Sequence, residues 1–190
     1  MNTQEGGYLE IILGPMFSGK TTRLIDVQKK YAVCDISCCV INHILDKRYD
    51  NNLLCTHDKQ STHCFNISQL SDIKTLGIIS QYKVFLINEG QFFEDVYDIV
   101  AELVDVHKKK VYICGLDGDF KREKFGSLLD LIPLADKVIK KTALCKLCKT
   151  TDFIKKGIFT MRLSNEDEQI VVGADNYIPV CRECYLNNLS

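Results

Sequence analysis

The stretch that decides the fold is Gly14-Pro15-Met16-Phe17-Ser18-Gly19-Lys20-Thr21. It has the form G-x-x-x-x-G-K-[ST] and stands between an apolar run rich in β-formers, residues 8–13, and a segment with helical spacing, residues 21–31. In such a loop the glycines let consecutive backbone N–H groups turn toward phosphate oxygens, and the start of the helix adds partial positive charge. The motif therefore predicts a site for the phosphates of a nucleotide.

Several residues of this loop have an expected task. Lys20 is expected to reach the β- and γ-phosphates of the nucleotide, and the Thr21 hydroxyl to ligate Mg²⁺. The alternative, a chance match in an ordinary turn, is disfavoured because a predicted strand and a predicted helix flank the motif in the required order. The residues that we predict to bind the nucleotide are Gly14, Met16, Phe17, Ser18, Gly19, Lys20 and Thr21.

Outward from the loop, short apolar runs alternate with helical patterns, which favours parallel strands joined by crossover helices. Continuous apolar strands suit a sheet that is covered on both faces. The sequence predicts strands at 38–42, 83–87, 111–114 and 137–140, a helix at 93–106, and mainly loop at 46–65.

The composition changes near Thr142, where close cysteine pairs and mixed polar segments begin. We therefore expect an α/β nucleotide-binding domain at 1–141 and a smaller domain at 142–190, with the boundary placed to within about four residues.

A predicted strand ends at Asn88-Glu89-Gly90-Gln91-Phe92-Phe93. Ligands of open α/β sheets bind at the carboxyl ends of the strands, where an acid orients Mg²⁺ or accepts a proton. Glu89 is the candidate for this task, and a merely solvated carboxylate is the alternative. Of the two phenylalanines, we expect one in the core and the other beside a flat apolar slot.

Cys145-Lys146-Leu147-Cys148 and Cys181-Arg182-Glu183-Cys184 are two C-x-x-C pairs separated by residues 149–180. Four thiolates in this arrangement suit tetrahedral Zn²⁺, and a site closed by four protein ligands is structural. The alternatives are a redox pair or coincidence. The long intervening stretch is expected to project as a loop. The other six cysteines lack this spacing and are expected to be buried or free thiols.

The chain has 190 residues, 24 basic against 25 acidic residues, and ten cysteines. This length fits one domain with a small satellite. The near-zero net charge gives no general electrostatic reason to bind nucleic acid or an anionic membrane. No apolar run approaches the ~20 residues of a spanning helix, and residues 1–7 lack the layout of a signal peptide. We therefore expect a cytoplasmic protein with reduced thiols and with no nucleic-acid or membrane partner.

With these pieces in place, the chain resembles the type II thymidine kinases, the cellular and poxvirus-like kind, from about Leu9 to Tyr185. Motif order and spacing agree together, which is more specific than the first loop alone. The stretches that carry the resemblance are 14–21, Asp46-Lys47-Arg48-Tyr49, Thr56-His57-Asp58, 89–93, Leu116-Asp117-Gly118, 131–134, and 173–177 followed by the second cysteine pair.

The resemblance implies a P-loop (RecA-like) parallel-sheet domain and a small C-terminal zinc domain that carries a substrate-clamping lasso loop. It implies ATP- and Mg²⁺-dependent transfer of the γ-phosphoryl group to the 5′-hydroxyl of thymidine, with deoxyuridine as a possible second substrate. Glu89 would be the general base, and Arg48 would join Lys20 in neutralising the transferring group. The residues that would bind the nucleoside are Met16, Phe92, Leu116, Phe120, Phe125, Thr160, Ile170, Val172, Gly173 and Tyr177.

The resemblance also implies a homotetramer that is feedback-inhibited by dTTP. The chain departs from the family pattern at Asn88, where an aspartate that supports Mg²⁺ is usual. A neutral oxygen there predicts weaker metal affinity, unless another acid such as Asp46 shares the task. This leaves an alternative function: a P-loop and zinc nucleotide-binding module with weak or no kinase activity. Val172-Gly173 stands where a Gly-Gly pair is common, which narrows the backbone freedom of the lasso.

Overall fold

The computed structural model describes residues 6–46, 53–55, 61–148, 155–171 and 173–188. Its main feature is a six-stranded sheet, with every neighbouring pair of strands parallel and with the order β5-β2-β6-β7-β1-β8. The strands are β1 (Tyr8–Leu13), β2 (Cys38–His43), β3 (Leu53–Cys55), β4 (Ser61–His63), β5 (Phe65–Ile67), β6 (Val84–Ile87), β7 (Lys110–Gly115), β8 (Lys137–Lys140), β9 (Ala143–Leu144), β10 (Lys156–Gly157), β11 (Phe159–Arg162) and β12 (Tyr177–Val180).

The sheet is covered on both faces, as the apolar strands predict. Side chains of a strand alternate between faces, so Leu9, Ile11 and Leu13 of β1 enter one apolar core while Ile12 enters another. The first core contains the helices that precede β6 and β7. The second contains the apolar side of the helix that follows β1. This confirms the α/β class with a parallel sheet between helical layers.

The helix after the glycine-rich loop covers its predicted range, whereas the other predicted helix is shorter and interrupted. The predicted helix at 93–106 begins only at Val96, because the Asp95 carboxylate accepts hydrogen bonds from the backbone N–H groups of Leu70 and Ser71, at 3.0 and 2.8 Å, and ties the chain to another loop. The α-helices are α1 (Lys20–Ala32), α2 (Asp72–Thr75), α3 (Ile78–Gln81), α4 (Val96–Ala101) and α5 (Arg182–Asn187), with 3-10 turns at Gly90–Phe92, Leu128–Leu134 and Ala174–Asn176 and a π-helical turn at Glu102–Val106.

The prediction of mainly loop at 46–65 is wrong in part. Strands β3 and β4 form an antiparallel pair, and β5 joins the edge of the main sheet beside β2. Strands of three residues are too short to show a period of two, and the pairing partner of β5 lies more than twenty residues away along the chain. The sequence pattern therefore carries no signal for them.

Beyond β8 the chain forms two small antiparallel pairs, β9 with β10 and β11 with β12, followed by α5. Their buried side chains form a separate small core that contains Cys145, Val180, Cys181 and Tyr185. No helix in the part of the chain that the structure describes is both long and apolar enough to cross a bilayer.

The carboxyl ends of three central strands meet at one edge of the sheet. Leu13 of β1 is in register with Gly115 of β7 and with Lys140 of β8, while Ile87 of β6 is in register with Ile113 of β7. The loops that begin at Gly14, Asn88 and Leu116 therefore leave the sheet side by side, which is where open α/β sheets bind ligands.

Candidate functional site

The loop between β1 and α1 is a tight turn that glycine makes possible. Gly14 and Gly19 have φ of 151° and 73°, and Phe17 also lies in the left-handed region with φ of 63°. A Cβ at Gly14 would lie 2.5 Å from the carbonyl oxygen of Lys141, so no larger residue fits there without movement of the backbone. The loop is therefore packed against the end of β8.

Two polar side chains of this loop are buried. Lys20 is 8% exposed, and its Nζ donates a hydrogen bond to the Pro15 carbonyl oxygen at 2.8 Å. Ser18 is 6% exposed, and among the described residues no group hydrogen-bonds to its Oγ. A buried hydroxyl without a partner is costly. An anion with several acceptor oxygens, such as a phosphate, would supply the missing partner, so the loop fits the predicted nucleotide phosphates.

Asn88 follows β6 and is fully buried, with partners on both sides of its amide. Its Oδ1 accepts from the Thr21 hydroxyl at 3.2 Å and from the Cys114 thiol at 3.1 Å. Its Nδ2 donates to Asn42 Oδ1 at 2.9 Å and to Asp46 Oδ2 at 3.5 Å. The structure thus brings Thr21 and Asn88 together, and these partners fix the orientation of the amide.

Glu89 is held by its neighbour two residues on. Its backbone is left-handed, with φ of 52°, and its side chain is buried. Gln91 donates from Nε2 to Glu89 Oε2 at 2.7 Å, while Gln91 Oε1 accepts the Leu116 N–H at 3.1 Å. A Cβ at Gly115 would lie 2.4 Å from that same Oε1. The glycine at the end of β7 therefore makes room for the glutamine that orients the acid.

The two adjacent phenylalanines separate as expected. Phe93 is fully buried in the first core, whereas Phe92 is half-buried. The Phe92 ring packs edge-on against Phe125, with centroids 5.5 Å apart, and lies beside the His43 ring. Burial lowers the pKa of His43, whose ring nitrogens hydrogen-bond to the Ser68 carbonyl oxygen and to the Leu45 N–H.

Of the remaining predicted nucleoside contacts, Met16 lies in the loop after β1, and Leu116 and Phe120 lie in the loop after β7. The others are on β11 and β12 or between them. Thr160 is buried, and its Oγ1 accepts the Met16 N–H at 3.0 Å, which joins β11 to the first loop. The half-buried Tyr177 donates its hydroxyl to the Val171 carbonyl oxygen at 3.2 Å. Ile170 is exposed and Gly173 has φ of 134°. Predicted residues Arg48 and Val172 lie outside the described residues.

The four cysteines of the C-x-x-C pairs converge. Their sulfur atoms all lie within 4.8 Å of one another, and Cys148 Sγ is 3.8 Å from Cys181 Sγ and 3.6 Å from Cys184 Sγ. Tetrahedral ligation with Zn–S bonds of about 2.3 Å places sulfur atoms about 3.8 Å apart. The set of Cys145, Cys148, Cys181 and Cys184 could therefore hold a metal ion such as zinc.

The ionisation of these thiols is uneven. Burial raises the pKa of Cys145, but hydrogen bonds from the backbone of Cys181, Cys148 and Leu147 outweigh it and bring the value to about 6. Burial, followed by hydrogen bonds with the Cys148 and Cys181 thiols, raises the pKa of Cys184 to about 12. Four thiolates this close repel one another unless a cation lies between them, which is what a metal supplies.

Sequence reasoning missed several residues that organise the site. Gln91 stands within a quoted motif but received no role, and Cys114, Asn42 and Arg162 were not singled out. Cys114 and Asn42 are near the ends of predicted strands, so their position at the carboxyl edge was a usable signal. Arg162 follows Thr160 by two residues, which puts both on one side of a strand.

Known proteins resemble this chain over nearly its whole length. A family model described as thymidine kinase matches residues 7–185. A thymidine kinase of Variola virus (isolate Human/India/Ind3/1967) is 38% identical over 184 residues, covering 96% of this chain and 99% of the relative. A thymidine kinase of Monkeypox virus shows the same identity and coverage. One of Oryza sativa subsp. japonica is 41% identical over 186 residues, covering 95% of this chain and 67% of the relative.

Proposed function

Because the chain belongs to the thymidine kinase family, we propose that it transfers the γ-phosphoryl group of ATP to the 5′-hydroxyl of thymidine. The observation that carries the proposal is the junction of two loops at one sheet edge. The Gly14–Gly19 loop, which suits phosphates, and the Asn88-Glu89 strand end, which supplies an acid, are joined by the hydrogen bond from Thr21 to Asn88. Phosphoryl transfer needs positioning and charge neutralisation more than covalent help.

On the donor side, residues 14–21 act as a P-loop for ATP. The orphaned Ser18 hydroxyl and the Lys20 ammonium supply donors to phosphate oxygens, and Arg48 adds positive charge in the proposed arrangement. Thr21 and Asn88 would hold Mg²⁺, whose chemistry is to neutralise charge that develops on the phosphate oxygens. The proximity of Thr21 Oγ1 to Asn88 Oδ1, at 3.2 Å, supports this pair.

On the acceptor side, Glu89 acts as the general base. Its carboxylate is buried and is oriented by the hydrogen bond from Gln91 to Oε2, which makes this acid the candidate to accept the proton of the 5′-hydroxyl. Loss of this proton makes the 5′-oxygen a better nucleophile as it bonds to the γ-phosphorus, while the bond from that phosphorus to ADP breaks. Restriction of the carboxylate by Gln91 supports this role because a general base must be aimed before reaction.

Thymidine would lie between an apolar wall and the lasso. Met16, Phe92, Leu116, Phe120 and Phe125 suit the 5-methyl and the flat ring, and the packing of Phe92 against Phe125 supports that wall. Thr160, Ile170, Val172, Gly173 and Tyr177 belong to β11, the lasso and β12, and backbone groups there would read the base edge. Deoxyuridine lacks only the methyl group, so we expect weaker but measurable use of it.

In the proposed zinc domain, residues 142–190, Zn²⁺ would be structural. Four cysteine ligands close the coordination shell and leave no position for substrate. Convergence of the four sulfur atoms supports zinc at this place.

The alternative of a nucleotide-binding module with weak or no kinase activity is not favoured. It rested on Asn88, and the family match spans nearly the whole chain. The amide at position 88 has partners for both its oxygen and its nitrogen, as a residue that belongs to the site does.

A nucleoside panel with γ-labelled ATP tests the proposed function. We expect MgATP-dependent product with thymidine, less with deoxyuridine, and loss of product in Lys20→Ala and Glu89→Gln. Arg23→Lys, at a residue of α1 whose guanidinium pairs with Glu10 of β1, serves as a matched control that keeps activity. Absence of product with every deoxynucleoside would reject the proposal.

The homotetramer, inhibition by dTTP and a cytoplasmic location are further proposals. The first two are supported by the resemblance, and the third by ten cysteines that lie within the described residues and form no disulfide there. Light scattering after size-exclusion chromatography tests the tetramer, and titration of dTTP into the kinase assay tests the inhibition. Fractionation of cells that express the tagged protein tests the location.

A further inference from the structure

Arg162, the last residue of β11, carries a buried charge. Its side chain is 8% exposed, although arginine is almost never buried without partners. β11 pairs with β12 so that Arg162 lies opposite Tyr177. Arg162 therefore lies at the end of the hairpin where the chain passes from β11 into the 163–171 segment.

All three guanidinium nitrogens donate hydrogen bonds. Nη1 donates to the carbonyl oxygens of Glu166 and Glu168 at 2.8 and 2.6 Å, and Nη2 donates to that of Gln169 at 3.1 Å. Nε and Nη2 also donate to the Tyr177 hydroxyl, at 3.2 and 2.7 Å. One side chain thus binds three carbonyl groups of the 163–171 segment and also Tyr177, the first residue of β12.

The middle of the 163–171 segment is not held by a buried apolar core. Residues 165–170 are exposed, so burial of apolar side chains does not hold them. Beyond the bonds to Arg162, the two ends of the segment are held by hydrogen bonds from the Leu163 N–H to the Asn176 carbonyl oxygen and from the Tyr177 hydroxyl to the Val171 carbonyl oxygen. Between the ends, Gln169 Nε2 donates to Asp119 Oδ2 at 2.7 Å, and an exposed ion pair joins Asp167 to Lys121. The guanidinium therefore orders the middle of this loop, because it donates the hydrogen bonds that three of the loop's backbone carbonyl groups require.

The flat face of the same guanidinium lies over the Phe120 ring, 3.6 Å from its centroid. Such stacking is a strong cation–π arrangement for arginine. Phe120 belongs to the loop after β7, at the edge where the proposed substrates meet. Arg162 therefore joins two walls of the proposed nucleoside pocket, the 163–171 segment with Tyr177 on one side and Phe120 on the other.

We propose that Arg162 is a positioning residue for the nucleoside: it holds the 163–171 segment, Tyr177 and Phe120 in their binding arrangement before the nucleoside arrives. This inference rests on the proposed function for the identity of the ligand. A loop that is already ordered loses less conformational entropy on binding, so the ligand binds more tightly. Lysine cannot replace arginine here, because it lacks the planar fork and the stacking face.

The test compares Arg162→Lys with the natural protein in steady-state kinetics and in hydrogen–deuterium exchange. We expect KM for thymidine to rise between about tenfold and about 100-fold, while KM for ATP changes less than about twofold. In the ligand-free protein, amides of 163–171 should exchange faster and those of β1, β6 and β7 should not. Tyr177→Phe, which removes one acceptor of Arg162 and keeps the ring, should give a smaller shift in the same direction.

Arg122→Lys is the matched control. Arg122 also lies over aromatic rings, those of Phe159 and Tyr185, but the described contacts of its guanidinium do not include the 163–171 segment. It should leave KM for thymidine unchanged. An equal rise of both KM values in Arg162→Lys, or unchanged loop exchange, would overturn the proposal.

A failure of the proposed kinase function can be distinguished from a failure of the proposed role of Arg162. If the natural protein phosphorylates no nucleoside, the kinase proposal fails, and calorimetric titration with thymidine decides the role of Arg162. Weaker thymidine binding by Arg162→Lys than by the natural protein supports the positioning role, and equal binding, or no binding to either, rejects it.

Discussion

Residue 88 shows how a single substitution is read differently once its partners are known. As a sequence position, Asn88 stands where the family pattern has a carboxylate, and loss of that charge predicts a weaker metal site. In the structure its amide uses both ends, accepting from Thr21 and Cys114 and donating to Asn42 and Asp46. A carboxylate has no N–H to donate, so this surrounding suits asparagine better than aspartate.

Asn88→Asp is therefore expected to lower the free energy of unfolding by about 1–3 kcal/mol, since a carboxylate would face Asn42 Oδ1 and the Asp46 carboxylate. Urea denaturation without nucleotide or metal measures this. In the double variant Asn88→Asp, Asp46→Asn the like-charge contact is removed, and part of the stability should return. A single variant as stable as the natural protein would show that the amide network is not needed.

Among the elements, long strands were predictable and short ones were not. β1, β2, β6 and β7 are apolar runs whose existence follows from their own residues, and the helix after the glycine-rich loop follows from its spacing. β5 and the late start of α4 depend on contacts with distant residues, namely β2 and the Leu70 N–H. Local periodicity carries no information about such contacts.

β11 connects the proposed phosphate-binding loop with the 163–171 segment, because residues two apart on a strand lie on the same side. Thr160 and Arg162 share its buried side, one binding the Met16 N–H and the other the lasso carbonyl groups. A strand of four residues thus spans from the proposed donor loop to the proposed acceptor loop.

Thr160→Val should lower the free energy of unfolding by about 1–2 kcal/mol and weaken ATP binding. Valine has the shape of threonine but leaves the Met16 N–H without its acceptor. Thr160→Ser keeps the hydroxyl and should stay close to the natural protein in both measurements, which are urea denaturation and calorimetric titration with ATP. Equal behaviour of the valine and serine variants would contradict this reading of β11.

At the scale of the whole molecule, the cysteine cluster organises the small core beyond β8. Cys145 and Cys181 are themselves part of that core with Val180 and Tyr185. The Tyr185 hydroxyl donates to the Phe120 carbonyl oxygen at 2.6 Å, which ties this core to the loop after β7. A metal at the cluster would therefore stabilise the edge of the proposed pocket.

We expect about one zinc ion per chain by elemental analysis, and we expect Cys148→Ser to lose it and to melt at a lower temperature. Removal of a ligand from a structural zinc site removes folding free energy. Cys34→Ser is the control, because Cys34 is an exposed free thiol far along the sequence from the cluster. A full complement of zinc in Cys148→Ser would contradict the assigned ligands.

The sequence by itself determined the parallel α/β class, the positions of the main strands along the chain, the convergence of four cysteines and the family. These depend on local periodicity and on motifs whose spacing has a chemical reason. Only the tertiary structure decided how Asn88 is oriented, that Gln91 holds Glu89, and that Arg162 joins the lasso to Phe120. Each of these depends on hydrogen bonds or ring contacts between residues that are held close by the fold, and a buried polar group reveals its task only through its partners.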